Sequence, residues 1–178
     1  MRPRSGSRIG RVPPEGRPES EAGRERISTS VTSLIDTSVL VCRYDARYPR
    51  KQERARRLLR RGIEEDAIRV PHQAILEFVA ATTRRRGDES SILEPEEARR
   101  EAEEMLTVFD VLYPTEAVVR TALRGAAAYA LPWFDAHLWA YAEVHGLPEL
   151  VSEDFQDGRL IGSVRIRNPF RDAPETDG

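Results

Sequence analysis

The apolar positions of this chain fall into short β-branched runs separated by longer stretches on helical spacing. Val31 to Asp36 predicts a buried first strand, and Thr37 and Ser38 are good caps for a helix that follows it. Residues 50 to 63, RKQERARRLLRRGI, place Ala55, Leu58, Leu59 and Ile63 near one face of a basic helix, with Gly62 close to its stop. DAIRVP is a second strand halted by Pro71. His72 to Arg86 reads as a helix carrying Ile75, Leu76, Phe78, Val79 and Ala80, and its RRRG ending is favourable at a helix C-terminus. PEEARREAEEMLTVF is a further helix, FDVLYP a strand, and Thr115 to Tyr129 a helix capped by Thr115 and Glu116. Trp133 to His145 forms the next helix, closed by Gly146. Leu150 to Ser152 is a short strand, and VRIRNPF is predicted as a final edge strand ending before Pro169.

Strands alternating with helices imply an α/β fold: a mostly parallel sheet with helices on both faces and a ligand site outside the strand carboxyl ends. Four acids stand against this pattern. Asp36 in SLIDTSVLV, Glu77 in AILEFVAA, Asp135 in LPWFDAHLWAYA and Asp154 in ELVSEDFQDG each interrupt or end an apolar run, so each is expected to be drawn inward, where an unpaired carboxylate is disfavoured. Like charges within ~4 Å repel by roughly 4 kcal/mol per pair at an effective dielectric of ~20, and a divalent cation is the economical partner for four of them. Asp36 and Asp154 follow strands and Asp135 begins a helix, so these three can converge at one sheet edge, joined by Glu77 if its helix packs across. Singly, each has a plainer explanation: Asp36 as a turn residue, Asp135 as a dipole-favoured helix start, Asp154 with Asp157 as a solvated loop. The conjunction carries the inference.

Composition narrows the classes. The 178 residues suit one domain, and a net charge of −2 conceals 28 basic against 30 acidic residues, so affinity for nucleic acid has to come from local arginine clusters. Arg54 to Arg61 read equally as an RNA-tracking stripe or a solvated face, whereas Arg84, Arg85 and Arg86, at the end of the Glu77 helix, point to a substrate role. The single cysteine, Cys42, excludes an internal disulfide and fits a reducing, cytoplasmic setting. No run approaches the ~18 apolar residues of a membrane span, so a soluble protein is expected. Residues 1–30 hold seven arginines against four glutamates without apolar period; they are expected to be a disordered basic leader from an upstream start, with the folded unit at 31–170 and a flexible tail at 171–178. His72, His137 and His145 do not make a metal-binding spacing, and general burial trends favour Trp133 and Phe134 packing on the sheet over stacking on a base.

From about Leu34 to Phe170 the chain resembles the PIN domain and, within it, the VapC-like toxin ribonucleases of toxin–antitoxin pairs. LIDTSVLV resembles the family's opening strand and first acid, HQAILEFVA the glutamate-bearing helix, YALPWFDAHLWAYA the third motif, and LVSEDFQDG the fourth. The resemblance implies a three-layer α/β/α fold with about five short strands. It implies that Asp36, Glu77, Asp135 and Asp154 form a catalytic quartet for Mg²⁺ or Mn²⁺, with Asp36, Asp135 and Asp154 at the metal, Asp157 as an auxiliary acid, and Ser38 supporting the first carboxylate. The implied reaction is in-line hydrolysis of RNA to 5′-phosphate and 3′-hydroxyl ends. The implied partners are the RNA substrate, a small adjacently encoded antitoxin, for which Leu58 and Leu59 are a candidate docking groove, and a second copy of the chain. A non-catalytic PIN-like RNA- or protein-binding module and a housekeeping PIN ribonuclease remain alternatives. A receiver domain lacks its lysine, the sole one being Lys51, and a haloacid-dehalogenase-type phosphatase lacks its second aspartate, Ser38 standing there.

Overall fold

The computed structural model describes residues 31–85 and 90–171. The expectations for the leader at 1–30, for Arg86 and for the tail beyond 171 lie outside the described residues. The elements are β1 (Ser33–Ile35), α1 (Thr37–Cys42), α2 (Pro49–Glu64), β2 (Ile68–Pro71), α3 (His72–Thr83), α4 (Pro95–Val108), β3 (Asp110–Leu112), α5 (Glu116–Tyr129), α6 (Trp133–Val144), β4 (Glu149–Val151), β5 (Leu160–Ile161) and β6 (Val164–Arg167). The strands form one six-stranded sheet in the order β3-β2-β1-β4-β6-β5, parallel throughout except for β5, which runs antiparallel to β6.

Side chains alternate across a strand, so neighbours in sequence enter opposite layers. Ile35, Val70 and Val151 join the core under α1 to α4, with Phe78, Leu59 and Met105. Leu34, Leu150 and Ile166 join the core under α5 and α6, with Trp139, Tyr141 and Phe155. The result is the expected α/β/α sandwich. Leu59 is buried in the first of these cores and Leu58 packs against it, so this pair faces inward and cannot form the docking groove expected from the sequence. A basic helix buries its one apolar stripe before it can offer it to a partner.

Three features differ from expectation: one helix end, one added strand and the edge of the sheet. The Glu77 helix stops at Thr83 and not at Arg86: the Thr82 and Thr83 hydroxyls bond back to the carbonyls of Phe78 and Val79, the Leu93 amide takes the Thr82 carbonyl at 3.0 Å, and Arg84 is already extended. The short strand β5 has no counterpart in the prediction. It exists because Gly162, at φ 58°, turns the chain so that Leu160 and Ile161 pair with Arg165 and Val164, which makes β6 an interior strand and β5 the edge.

The position of the site follows from the topology. β1 and β4 are parallel neighbours with Ile35 opposite Val151, and the chain leaves β1 in one direction towards β2 and is met on the other side by β4. The carboxyl ends of β1 and β4 therefore flank a topological switch point, where sheets of this kind open a crevice.

Candidate active site

Asp36 directly follows β1, and its amide donates to the Val151 carbonyl at 3.1 Å, stitching the ends of β1 and β4 together. It stands at the N-cap of α1 without capping it through its side chain. Instead, Oδ2 accepts from the Ser38 hydroxyl at 3.0 Å and the Ser152 hydroxyl at 2.5 Å. Ser38 thus supports the first carboxylate, as the resemblance implied. Asp36 is 5% exposed. Burial pushes its pKa up to about 6; the Ser152 hydrogen bond opposes this, and the charge of Asp154 adds to it.

Glu77, in mid-α3, is half-buried and turns out of the core into the cleft. Its Oε2 accepts from the Thr37 hydroxyl at 2.8 Å and its Oε1 from Gln73 Nε2 at 2.7 Å. Asp135, also half-buried, lies in the first turn of α6, where the helix dipole favours an anion. Its pKa is raised, first by desolvation and then by the charge of Glu77. Asp154 follows β4 on the Ser152 turn, its amide donating to Ser152 Oγ at 3.1 Å. The residue as a whole is exposed, so the inward placement expected for it does not hold, because it lies on the rim of the cleft. Its pKa is nonetheless raised, by partial desolvation, then by Glu153, Asp135 and Glu77.

These four carboxylates, from four separate elements, line one open cleft of about 550 Å³. Each pair of neighbours is electrostatically strained: Asp154 acts on Asp36, Glu77 on Asp135, and Asp135 and Glu77 on Asp154. Among the described residues no three His, Cys, Asp or Glu side chains already converge on a point in the manner of a closed metal cage. An all-oxygen donor set with unneutralised like charges fits a hard dication that keeps part of its water shell, Mg²⁺ or Mn²⁺, rather than zinc.

The other expected site residues fare differently. Arg84 is exposed and lines the cleft; Arg85 is exposed and does not line it; Arg86 is outside the described residues. Asp157 is turned away to a structural task, accepting the Asn168 amide at 2.8 Å and Arg171 Nη1 at 2.7 Å, and the Asn168 bond is the main reason its pKa is lowered. Trp133 and Phe134 do not pack on the sheet. They are 44% and 66% exposed in the first turn of α6, and Phe134 lines the cleft.

Several residues were missed. Ser152 and Thr37 each hold one acid of the quartet. Gln73 precedes Glu77 by one helical turn, a readable spacing, and its Oε1 pairs with His137 Nδ1 at 2.6 Å, which gives that histidine a supporting place. Glu153, beside Asp154, bonds Lys51 Nζ at 2.9 Å and accepts from the Cys42 thiol at 3.6 Å.

The chain belongs to the PIN domain family, whose match spans residues 33–156. Its fold is similar to that of a toxin–antitoxin complex component from Klebsiella pneumoniae, at a TM-score of 0.56 and 17% identity over 78% of this chain and 98% of that one. It is similar also to a chain of the DNA-bound VapBC from Salmonella typhimurium, at 0.60 and 15% over 78% and 98%. A third likeness is to VapC20 of Mycobacterium tuberculosis, a sarcin-ricin loop cleaving toxin, at 0.52 and 19% over 67% and 87%. No curated protein matches the chain in sequence. No helix among the described residues is long and apolar enough to cross a membrane.

Proposed function

We propose that this PIN domain, residues 31–170, is a divalent-cation-dependent endoribonuclease and the toxin of a toxin–antitoxin pair. The observation that carries the reading is the gathering of Asp36, Glu77, Asp135 and Asp154, with three pKa values raised, in one cleft at the carboxyl ends of β1 and β4. An arrangement so costly without a cation has a function that needs one. Asp36, Asp135 and Asp154 would hold Mg²⁺ or Mn²⁺, which when bound supplies charge neutralisation at the phosphate and a more acidic water.

The chain's own groups prepare the rest. Ser38 and Ser152 hold one oxygen of Asp36 and so fix the direction of its carboxylate. Thr37 and Gln73 take one oxygen each of Glu77, orienting that carboxylate as an acceptor for the proton of an attacking water. Arg84, with Arg85 and Arg86 following, supplies charge for the RNA backbone and not for base identity. Hydrolysis leaves 5′-phosphate and 3′-hydroxyl ends. Fold likeness to VapBC toxins supports a small antitoxin encoded alongside and a homodimer, and a sole, buried cysteine suits a reducing cytoplasm.

The test is cleavage of RNA by the full chain with Mg²⁺ or Mn²⁺ and with chelator. Asp36→Asn and Asp135→Asn are each expected to abolish cleavage while retaining the fold and the co-purifying product of the neighbouring reading frame. Unchanged cleavage in both variants removes the nuclease reading. Failure of any neighbouring product to co-purify with an active enzyme leaves a housekeeping ribonuclease.

A further inference from the structure

Phe134 is the most exposed aromatic side chain described, at 66%, and it lies on the wall of the acidic cleft beside Asp135. Among the described residues the other exposed aromatics all have a partner for their rings. Tyr113 meets His72 at 5.5 Å, Tyr129 stands edge-on to Trp139 at 5.3 Å, Trp133 stacks on His137 at 6.3 Å and 26°, and Tyr48 lies under Lys51 at 5.4 Å. Phe134 has no such partner, so one ring in the cleft is left for a ligand.

The backbone that carries the ring is held on a fixed frame. The Phe134 carbonyl accepts from Gln73 Nε2 at 3.4 Å, the same nitrogen that donates to Glu77 at 2.7 Å. Gln73 Oε1 pairs with His137, and the His137 ring carries Trp133. One glutamine thereby ties the backbone of Phe134 and, through His137, the Trp133 ring to a carboxylate of the quartet. An unpartnered aromatic side chain next to the acidic centre, with the Arg84 cation on the same cleft, matches the two halves of a nucleotide.

We propose that Phe134, flanked by Trp133, is a base-stacking subsite that receives the base next to the scissile phosphate. This rests on the nuclease reading and adds to it the residue that binds the base. In an A-form duplex the base faces are covered by their own neighbours, so only a splayed base of a loop, bulge or single strand can lie on the ring. Because every base has a π-face, the subsite selects for exposure and not for one base.

The experiment compares the full-length wild-type chain, Phe134→Ala and Phe134→Tyr on a fluorescent single-stranded RNA, on its duplex, and on the same strand with an abasic residue beside the cleaved bond. The same RNAs are titrated onto Asp36→Asn and Asp36→Asn/Phe134→Ala by anisotropy. Stacking of one base corresponds to about a 10-fold or greater effect. The expected result is a KM and Kd raised at least 10-fold by Phe134→Ala, kcat within about 3-fold, recovery by Phe134→Tyr, preference for the single strand, and no further loss when the abasic RNA meets Phe134→Ala. Equal KM and Kd for wild type and Phe134→Ala, or equal cleavage of duplex, overturns the proposal. So does a Phe134→Ala chain that loses only the co-purifying partner. A wild-type chain that binds RNA through Phe134 but cleaves none overturns the nuclease reading alone.

Discussion

Thr37 donates its hydroxyl to Glu77 at 2.8 Å, joining the residue after the first acid to the acid on α3 forty positions away. Glu77 owes its direction to that bond and to Gln73. Thr37→Val keeps the β-branched shape and removes the donor, leaving one oxygen of a half-buried carboxylate unheld. Outer partners of metal-site carboxylates are worth 10- to 100-fold in activity or metal affinity, so cleavage is expected to fall about 10-fold with a higher Mg²⁺ requirement. Thermal stability should change little. A metal titration of the cleavage rate in both chains measures this, and identical curves would show that Thr37 does not position Glu77.

Asp36 makes the same substitution harmful to activity and helpful to the fold. Its pKa rises from 3.8 to about 6, chiefly through burial. The protonated form therefore stabilises the metal-free fold below pH ~4, and this contribution is lost as pH rises through 6, where the folded protein must hold a buried charge. The shift corresponds to roughly 3 kcal/mol at neutral pH. Asp36→Asn, whose amide oxygen can still accept from Ser38 and Ser152, is expected to melt several degrees higher than wild type at pH 7.5 in chelator. The gap should close towards pH 4 and narrow when Mg²⁺ is added to the wild type. Melting curves across pH 4 to 8 decide it; a wild-type chain as stable as the variant at pH 7.5 without metal contradicts the assignment of strain to Asp36.

Asp36, Asp135 and Asp154 were legible in the sequence because each sits where an element begins or ends, and an α/β sheet sends such ends to one edge. The direction of Glu77 was not: α3 carries apolar residues around most of its circumference, so its period does not say which arc faces the cleft, and only Thr37 and Gln73 settle it. The exposure of Trp133 and Phe134 ran against their residue type. Burial tendency averages over all positions, whereas these two open α6, with Phe134 on the cleft wall. Leu58 and Leu59 are a candidate docking groove in the sequence because helical spacing identifies an apolar face without identifying what covers it. β5, two residues long, carries too little pattern to be seen before Gly162 is known to turn the chain.

Cys42 is buried, and its thiol pKa is pushed up to about 12, first by desolvation and then by the neighbouring Glu153 charge. The thiolate is the reactive species, so native protein should resist alkylation. Iodoacetamide at pH 8 is expected to leave the folded chain unmodified after an hour and to label it fully in denaturant, read by intact mass. Rapid labelling of the native chain would mean that the cleft wall around Glu153 opens in solution.

Gly125 tests the packing that places Asp135. A Cβ on Gly125 would stand 2.1 Å from Cζ3 of Trp139, across the contact between α5 and α6. The indole cannot simply turn aside, because its Nε1 donates to the Ile161 carbonyl at 2.9 Å in the buried core. Gly125→Ala therefore forces α5 away from α6 in spite of the better helix propensity of alanine. Overpacking of this kind costs about 1 to 3 kcal/mol, against a propensity gain of at most ~1 kcal/mol. A net loss of stability is expected, with a lower denaturant midpoint. Since Asp135 is carried by α6, activity at a temperature where the variant remains folded should fall as well. A variant as stable as wild type would show that the helix pair has slack that the close approach of Gly125 to Trp139 denies.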